Sequence, residues 1–371
     1  MRKISKLIFE SKTIESLLDA NRGIGPGFDH LRLALALLIF NVHASAVING
    51  RSAQAEVIVT AQSNSPTAGW DNWRAPIYIM FVPMFFALSG FLVSGSALRL
   101  RDLRRFIGAR MLRIIPALFI EVCLSAVAIG PIFTTLTLSD YFLNQQFFSY
   151  FGNIVGHIQY ELPGVFLNNP IPRIVNNSLW TLPVEFYCYI FMTTAMISGL
   201  IYDKRLFLVF FVVATIATTA MNYRYEWSSH RGNYTLIIIL YYFLCGCIFY
   251  LYRNVIKISF IYVLIAVVLA YALIYTKSLA LIAPLFLTYV TIGIGMLRLP
   301  KIPVVSVGDY SYGVYLYGFP ISQSVIALLP AIKSSPLLFK ATAIGITFGF
   351  AYISWNVIEK KALLLKHKLQ K

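Results

Sequence analysis

Charge is scarce in this chain, and negative charge is scarcer still. Only 12% of the 371 residues are charged, with 15 Asp and Glu against 31 Lys and Arg. Soluble domains carry about twice that share of charge, so a soluble globular class is excluded. Cysteine is sparse too. The four cysteines, Cys123, Cys188, Cys245 and Cys247, all fall in apolar stretches. Cys245-Gly246-Cys247 lacks the two-residue spacing and the second pair of a zinc site. The cysteines therefore read as buried small residues, with neither a disulfide framework nor a metal centre expected. No segment alternates apolar and polar residues over ten positions, which excludes a transmembrane barrel. No transporter-type repeat, low-complexity tract or separate soluble core is evident. The first 27 residues lack a short apolar core followed by small residues, so no cleaved signal peptide is expected.

What the chain has in abundance is apolar surface. It is 58% hydrophobic, with a mean hydropathy of +0.72. Ten stretches are long and apolar enough to be drawn as spans: about 30–48, 77–97, 111–133, 179–200, 206–221, 235–252, 258–275, 279–297, 304–328 and 338–357. The expected fold class is all-α, a polytopic membrane protein with about ten transmembrane helices. Residues 1–27 form a cytoplasmic segment, 28–358 the membrane domain and 359–371 a basic cytoplasmic tail. Twenty-two of the 31 Lys and Arg fall on the side of the termini and seven on the other, placing both termini in the cytoplasm. The net charge of +16 thus reports topology, with some attraction to anionic lipid headgroups, and not nucleic acid. Two outer loops, 49–76 and 134–178, are long. Their aromatic, proline and polar residues (Trp70, Trp73, His157, Tyr160, Glu161, Pro170, Pro172, Arg173) predict ordered caps or re-entrant pieces.

The polar residues within this apolar frame are few enough to take one by one. Phe28 to Ile48 opens with Asp29 and Arg32, then carries His43 well inside the apolar run. Arg32 and His43 are eleven residues apart, roughly 16 Å at helical rise. An ionisable group at that depth points to a functional site, although alone it also reads as a snorkelling Arg and a packed histidine. In Phe85-Phe86-Ala87-Leu88-Ser89-Gly90-Phe91-Leu92 the small residues suit close helix contact. Arg110 and Arg113 share one helix face where the third stretch begins, suited to holding phosphates and equally to snorkelling. Trp180 fits an interfacial aromatic belt. Glu185 lies about 9 Å inside its stretch, similar in depth to His43, and Glu121 is a second buried acid. A buried carboxylate needs a partner, and His43 is the candidate for either. Gly308-Asp309-Tyr310-Ser311-Tyr312-Gly313-Val314-Tyr315-Leu316-Tyr317 presents tyrosines that could line a polar cavity or simply pack. Asn176-Asn177-Ser178 and Asn233-Tyr234-Thr235 match the N-glycosylation pattern.

Together these pieces resemble the acyltransferase 3 family of integral-membrane acyltransferases, which O-acylate sugars and other cell-envelope glycans. The matching elements are the Asp29-to-His43 opening with its Arg-x10-His spacing, FFALSGFL at 85–92, Arg110-x-x-Arg113, SLWTLPVEFY at 178–187 and SYGVYLYGFP at 311–320. They occur in the family's order over nearly the whole chain. The resemblance implies ten membrane helices, a bacterial inner membrane, and acetyl-CoA or another acyl-CoA as cytoplasmic donor. It makes His43 the catalytic histidine and assigns Arg32, Arg110 and Arg113, with Ser89, to the donor. There are departures: His30 stands where Gly is usual, Pro183 where Ser is common, and Gly318 where many members carry His. The hydrolase-like domain that many relatives carry after the membrane part is not expected here.

The expected function is O-acyl transfer, most simply O-acetyl transfer, from acyl-CoA to a hydroxyl of a saccharide or envelope glycan. His43 is the expected general base, and Glu185 or Glu121 would fix its tautomer. The expected partners are acyl-CoA, a glycan acceptor and membrane lipids. The alternative is a transporter or flippase for a lipid-linked sugar, which would also bury His and Glu. A second membrane acyltransferase family and a catalytically inactive scaffold are further alternatives.

Overall fold

In hydrocarbon every backbone N–H and C=O must find its partner inside the segment, so long apolar runs fold as helices. The computed structural model describes residues 11–50, 75–225, 236–273, 282–300, 302 and 308–365. After a short helix α1 (Ile14–Asp19), each of the ten apolar stretches holds a helix. These are α2 (Phe28–Asn49), α3 (Ala75–Leu100), α4 (Leu103–Leu124), α7 (Leu182–Ile197), α8 (Lys204–Tyr225), α9 (Leu236–Leu251), α10 (Phe260–Leu273), α11 (Ala283–Gly295), α12 (Ser311–Leu328) and α13 (Pro336–Ser354). Between α4 and α7 lie the short helices α5 (Leu138–Leu143) and α6 (Gln145–Tyr150). Among the described residues, five helices are long and apolar enough to cross a membrane by length and composition: Phe28–Asn49, Ile77–Leu100, Leu103–Phe133, Lys204–Asn222 and Pro336–Leu364. Three further apolar helices, α9, α10 and α11, are shorter. The exposed large side chains of α8 and α10 include Val209, Val213, Ile216 and Val268, the surface that lipid contact requires. The chain is an all-α membrane protein, with one addition that the sequence did not suggest. Lys12–Thr13 (β1) and Lys257–Ile258 (β2) pair antiparallel over two residues each.

The chain divides into two compact units. The first comprises Met1–Leu35, Gln54–Leu103 and Ile190–Ser306. Its centre is the crossing of α3 and α9, built on two glycines. A Cβ at Gly90 would run into the carbonyl of Phe243, and one at Gly246 into the carbonyl of Ala87. The two backbones touch because neither position has a side chain. Cys245-Gly246-Cys247 is part of this contact: both cysteines are fully buried, and the Cys247 thiol points at the Gly90 carbonyl, 3.6 Å away. Cys188 is buried as well, whereas Cys123 is only half-buried.

The second unit comprises Ala36–Ala53, Arg104–Tyr189 and Val307–Lys371. Two of its helices are widened by a π turn. One, Ser125–Ile129, carries α4 onward to Phe133; the other, Trp355–Glu359, carries α13 onward to Leu364. The helix therefore runs through residue 359, where the sequence places the start of the tail, and Glu359 is buried. The 134–178 loop is an ordered cap. Asn153 is fully buried and braces it, donating to the carbonyls of Tyr150 (2.8 Å) and Gln159 (2.9 Å) while accepting from the Gln159 N–H (2.8 Å). Phe166 and Arg173 take left-handed backbone, φ 54° and 66°, and the Arg173 N–H closes the loop onto the Phe166 carbonyl at 3.3 Å. The buried Gln323 side chain of α12 donates to the carbonyls of Ile171 (2.8 Å) and Ile174 (2.6 Å), fastening the cap to the helix. Most of the other long loop, with Trp70 and Trp73, and the Asn233 sequon lie outside the described residues.

Candidate active site

The second unit gathers nearly all the polar side chains that the sequence singles out. His43 stands on α2 with its ring edge-to-face against Phe319 of α12, centroids 5.5 Å apart. It is half-buried, and its ring nitrogens make no hydrogen bond among the described residues. Gly318 is the residue immediately before Phe319 on α12. A Cβ there would lie 2.9 Å from Cδ2 of Phe40, so the aromatic ring occupies the space that a side chain at 318 would need.

The two glutamates expected to orient His43 have other partners. Glu121, fully buried, accepts from the Ser125 hydroxyl (2.9 Å) and from Nδ2 of Asn176 (2.9 Å). Glu185 accepts from the Tyr189 hydroxyl, one turn on, at 2.6 Å. The reason lies in local geometry. Ser125 and Tyr189 are each four residues ahead of their glutamate, so the helix itself delivers a donor to the carboxylate. The expected carboxylate–imidazole bond is thus replaced by two separate carboxylate–hydroxyl pairs.

Asn176 ties three segments together. Pro320 has no N–H to give to the Leu316 carbonyl one turn earlier, and Asn176 Nδ2 donates to that carbonyl at 3.0 Å. Its Oδ1 accepts from the Ser178 hydroxyl (2.5 Å) and backbone N–H (3.1 Å), starting the turn that leads into α7. Nearby, Tyr315 shares a hydrogen bond with Thr181 (2.6 Å) and donates to the Ser178 carbonyl (3.0 Å). Asn176 is fully buried with its amide fully used, so it offers no glycosylation acceptor despite matching the pattern.

Toward the start of α12 the charged residues cluster. Arg113 forms an ion pair with Asp309 at 2.6 Å, and Asp309 also accepts from the Ser311 hydroxyl at 2.5 Å. Glu359 and Tyr189 lie within electrostatic reach of Arg113, and Glu185 within reach of both Arg110 and Arg113. Glu359 accepts from the Ser354 hydroxyl at 2.9 Å. The structure thus brings Arg110, Arg113 and Glu185 together, and leaves Glu121 in a separate neutral network. Asp309, Glu359, Tyr189 and Asn176 are the members that the sequence reading did not assign. The remaining two predicted residues belong to the first unit. Arg32 pairs with Asp29 within one turn of α2, and Ser89 is half-buried beside Gly90. His30, in the same unit, is 3.0 Å from the Pro300 carbonyl through Nε2.

Residues 26–356 match a protein family described as an acyltransferase domain. The chain belongs to the acyltransferase 3 family. It is an enzyme that transfers acyl groups, and the transporter reading is set aside. The acyltransferase is also similar to an O-acetyl transferase of Shigella phage Sf6, 28% identical over 307 residues, covering 76% of this chain and 84% of that protein. No solved structure gives a significant match to this acyltransferase. Its helices and its family make it a multi-pass membrane enzyme.

Proposed function

We propose that the enzyme moves an acyl group, most simply acetyl, from acyl-CoA onto a hydroxyl of a saccharide or cell-envelope glycan. The observation that carries this reading is His43: an imidazole inside an apolar helix, braced on Phe319, with both ring nitrogens uncommitted among the described residues. A histidine held only for packing would bond a neighbouring carbonyl; this one is left available for proton transfer. In the proposed reaction His43 takes the proton of the acceptor hydroxyl as its oxygen attacks the thioester carbonyl. The tetrahedral intermediate collapses with cleavage of the carbon–sulfur bond. The imidazolium then gives its proton to the departing thiolate, releasing CoA-SH and restoring neutral His43.

Arg110 is the guanidinium we assign to the donor phosphates, with Arg32 and Ser89 as further donor-side residues. Arg113 is committed to Asp309, so its share is to hold the charged cluster in place. Glu185 and Glu121 act as positioning residues through Tyr189 and Asn176 and do not touch His43. Ten membrane spans with both termini cytoplasmic, in a bacterial inner membrane, bring the donor to the face that carries most of the Lys and Arg. The similarity to the phage O-acetyl transferase supports acetyl as the transferred group.

The test is acetyl-CoA turnover by detergent-purified protein. His43→Ala should lower the rate of CoA-SH release by about a hundred- to ten-thousand-fold while acetyl-CoA still binds. Arg110→Ala should weaken acetyl-CoA binding instead. Full turnover by His43→Ala at normal expression would remove His43 from the base role.

A further inference from the structure

Within the first unit, a cavity of about 690 Å³ opens between four chain segments, and its polar lining is mostly charged. Glu15 comes from α1, Asp203, Lys204 and Arg205 from the start of α8, and Arg253 and Asn254 from the turn after α9. Loops that merely carry positive charge for topology leave it splayed in water. Here the walls are fastened. The Glu15 N–H donates to the Arg253 carbonyl and the Ile14 N–H to the Ile256 carbonyl, both at 3.0 Å, which extends the β1–β2 pairing. The Tyr252 hydroxyl donates to the Lys204 carbonyl at 3.1 Å, tying the turn to the start of α8.

Arg253 itself is held on three sides. Its guanidinium lies 4.6 Å over the Tyr250 ring, donates to the Tyr250 carbonyl at 3.0 Å and faces Glu15 at 3.4 Å. Tyr250 is set in turn by an edge-to-face contact with Phe91 at 5.1 Å and by Gly95, where a Cβ would come within 2.8 Å of its ring. The acids in the cavity are already occupied. Asp203 caps α8 by accepting from the N–H groups of Arg205 (2.8 Å) and Leu206 (3.1 Å), and Glu15 faces Arg253. That use of Asp203 also means the helix end itself is filled. Lys204 and Arg205 have no carboxylate partner among the described residues.

The geometry points to a binding site for a phosphate ester, with Lys204 and Arg205 as its contacts and Arg253 as its fixed wall. Two rotatable cations beside a preset guanidinium match the several acceptor oxygens of a phosphate. Leu98, Ile201 and Leu251 line the same cavity and suit an apolar extension of the ligand. The phosphate could belong to an anionic phospholipid or to a soluble compound, and the experiment separates the two.

Full-length protein is examined in two ways, each repeated on Lys204→Gln/Arg205→Gln. Native mass spectrometry counts phosphatidylglycerol retained from mixed micelles, and calorimetry in phosphatidylcholine nanodiscs measures binding of sodium pyrophosphate. Retained phosphatidylglycerol that the variant loses by about ten-fold or more, with no pyrophosphate heat, assigns a lipid headgroup. Pyrophosphate binding weakened by a similar factor assigns a soluble phosphate. The proposal is overturned if the variant matches wild type with both probes, or if wild type takes up neither. Both side chains are exposed, and thermal unfolding without ligand checks that the variant folds. Should it not, Arg205→Gln alone is read by the same two measurements.

Discussion

Glu121 and Glu359 are near twins in their immediate surroundings and differ in their company. Each is buried, each adjoins a π turn, and each accepts from a serine hydroxyl at 2.9 Å. Each also keeps its second oxygen without a hydrogen bond among the described residues. Beyond that they diverge. Glu121 faces a neutral amide, Asn176, whereas Glu359 faces the guanidinium of Arg113. The helix thus brings a carboxylate and a hydroxyl together in both places, four residues apart at Glu121 and Ser125 and five apart across the π turn at Ser354 and Glu359, and the third partner decides what the pair is for. The neutral version ties segments together. The charged version balances an arginine at the end of the site where the donor is proposed to enter.

The largest effect is expected where a charge is orphaned. Asp309→Ala leaves Arg113 without its ion-pair partner and should cost about 3–5 kcal/mol, read as a lowered unfolding midpoint in detergent. Asn176→Ala comes next. It strips a donor from Glu121 and uncovers the Leu316 carbonyl that Pro320 leaves unbonded, for about 1–3 kcal/mol by the same measurement. Smaller still are the isosteric changes that weigh the two glutamates directly. Glu359→Gln gives up attraction to Arg113 and should lose about 1 kcal/mol. Glu121→Gln has no cation to lose and should stay within about 0.5 kcal/mol of wild type. A greater loss from Glu121→Gln than from Glu359→Gln would reverse the contrast.

Length and apolarity were enough to locate the helices of the ten apolar stretches, because the backbone of an apolar run has one economical way to satisfy itself. The same holds for Gly90: small residues among aromatics announce a close contact, although not that Gly246 would meet it. Arg110 and Arg113 could be placed on one helix face from their spacing alone. What spacing cannot carry is the partner across the fold. Asp309 lies 196 residues from Arg113, and nothing local in either segment marks the pairing. The bonds of Glu121 and Glu185 were misjudged for a related reason. Depth in the membrane suggested His43 as the partner of one or the other, while a hydroxyl four residues ahead was closer to hand. One missed feature did leave a trace. Pro320 inside an apolar stretch implies a carbonyl at 316 in need of a donor, and a buried amide such as Asn176 is what supplies it.

The contact between Gly318 and Phe40 bears on how this enzyme could change over evolutionary time. With the ring only 2.9 Å from where a Cβ at 318 would sit, no single substitution restores a histidine there without displacing Phe40. Phe40 must move or shrink with such a change, so the two sites are coupled. A lineage with histidine at 318 should therefore carry a smaller residue at 40, and Phe40→Ala is the background in which Gly318→His becomes accessible.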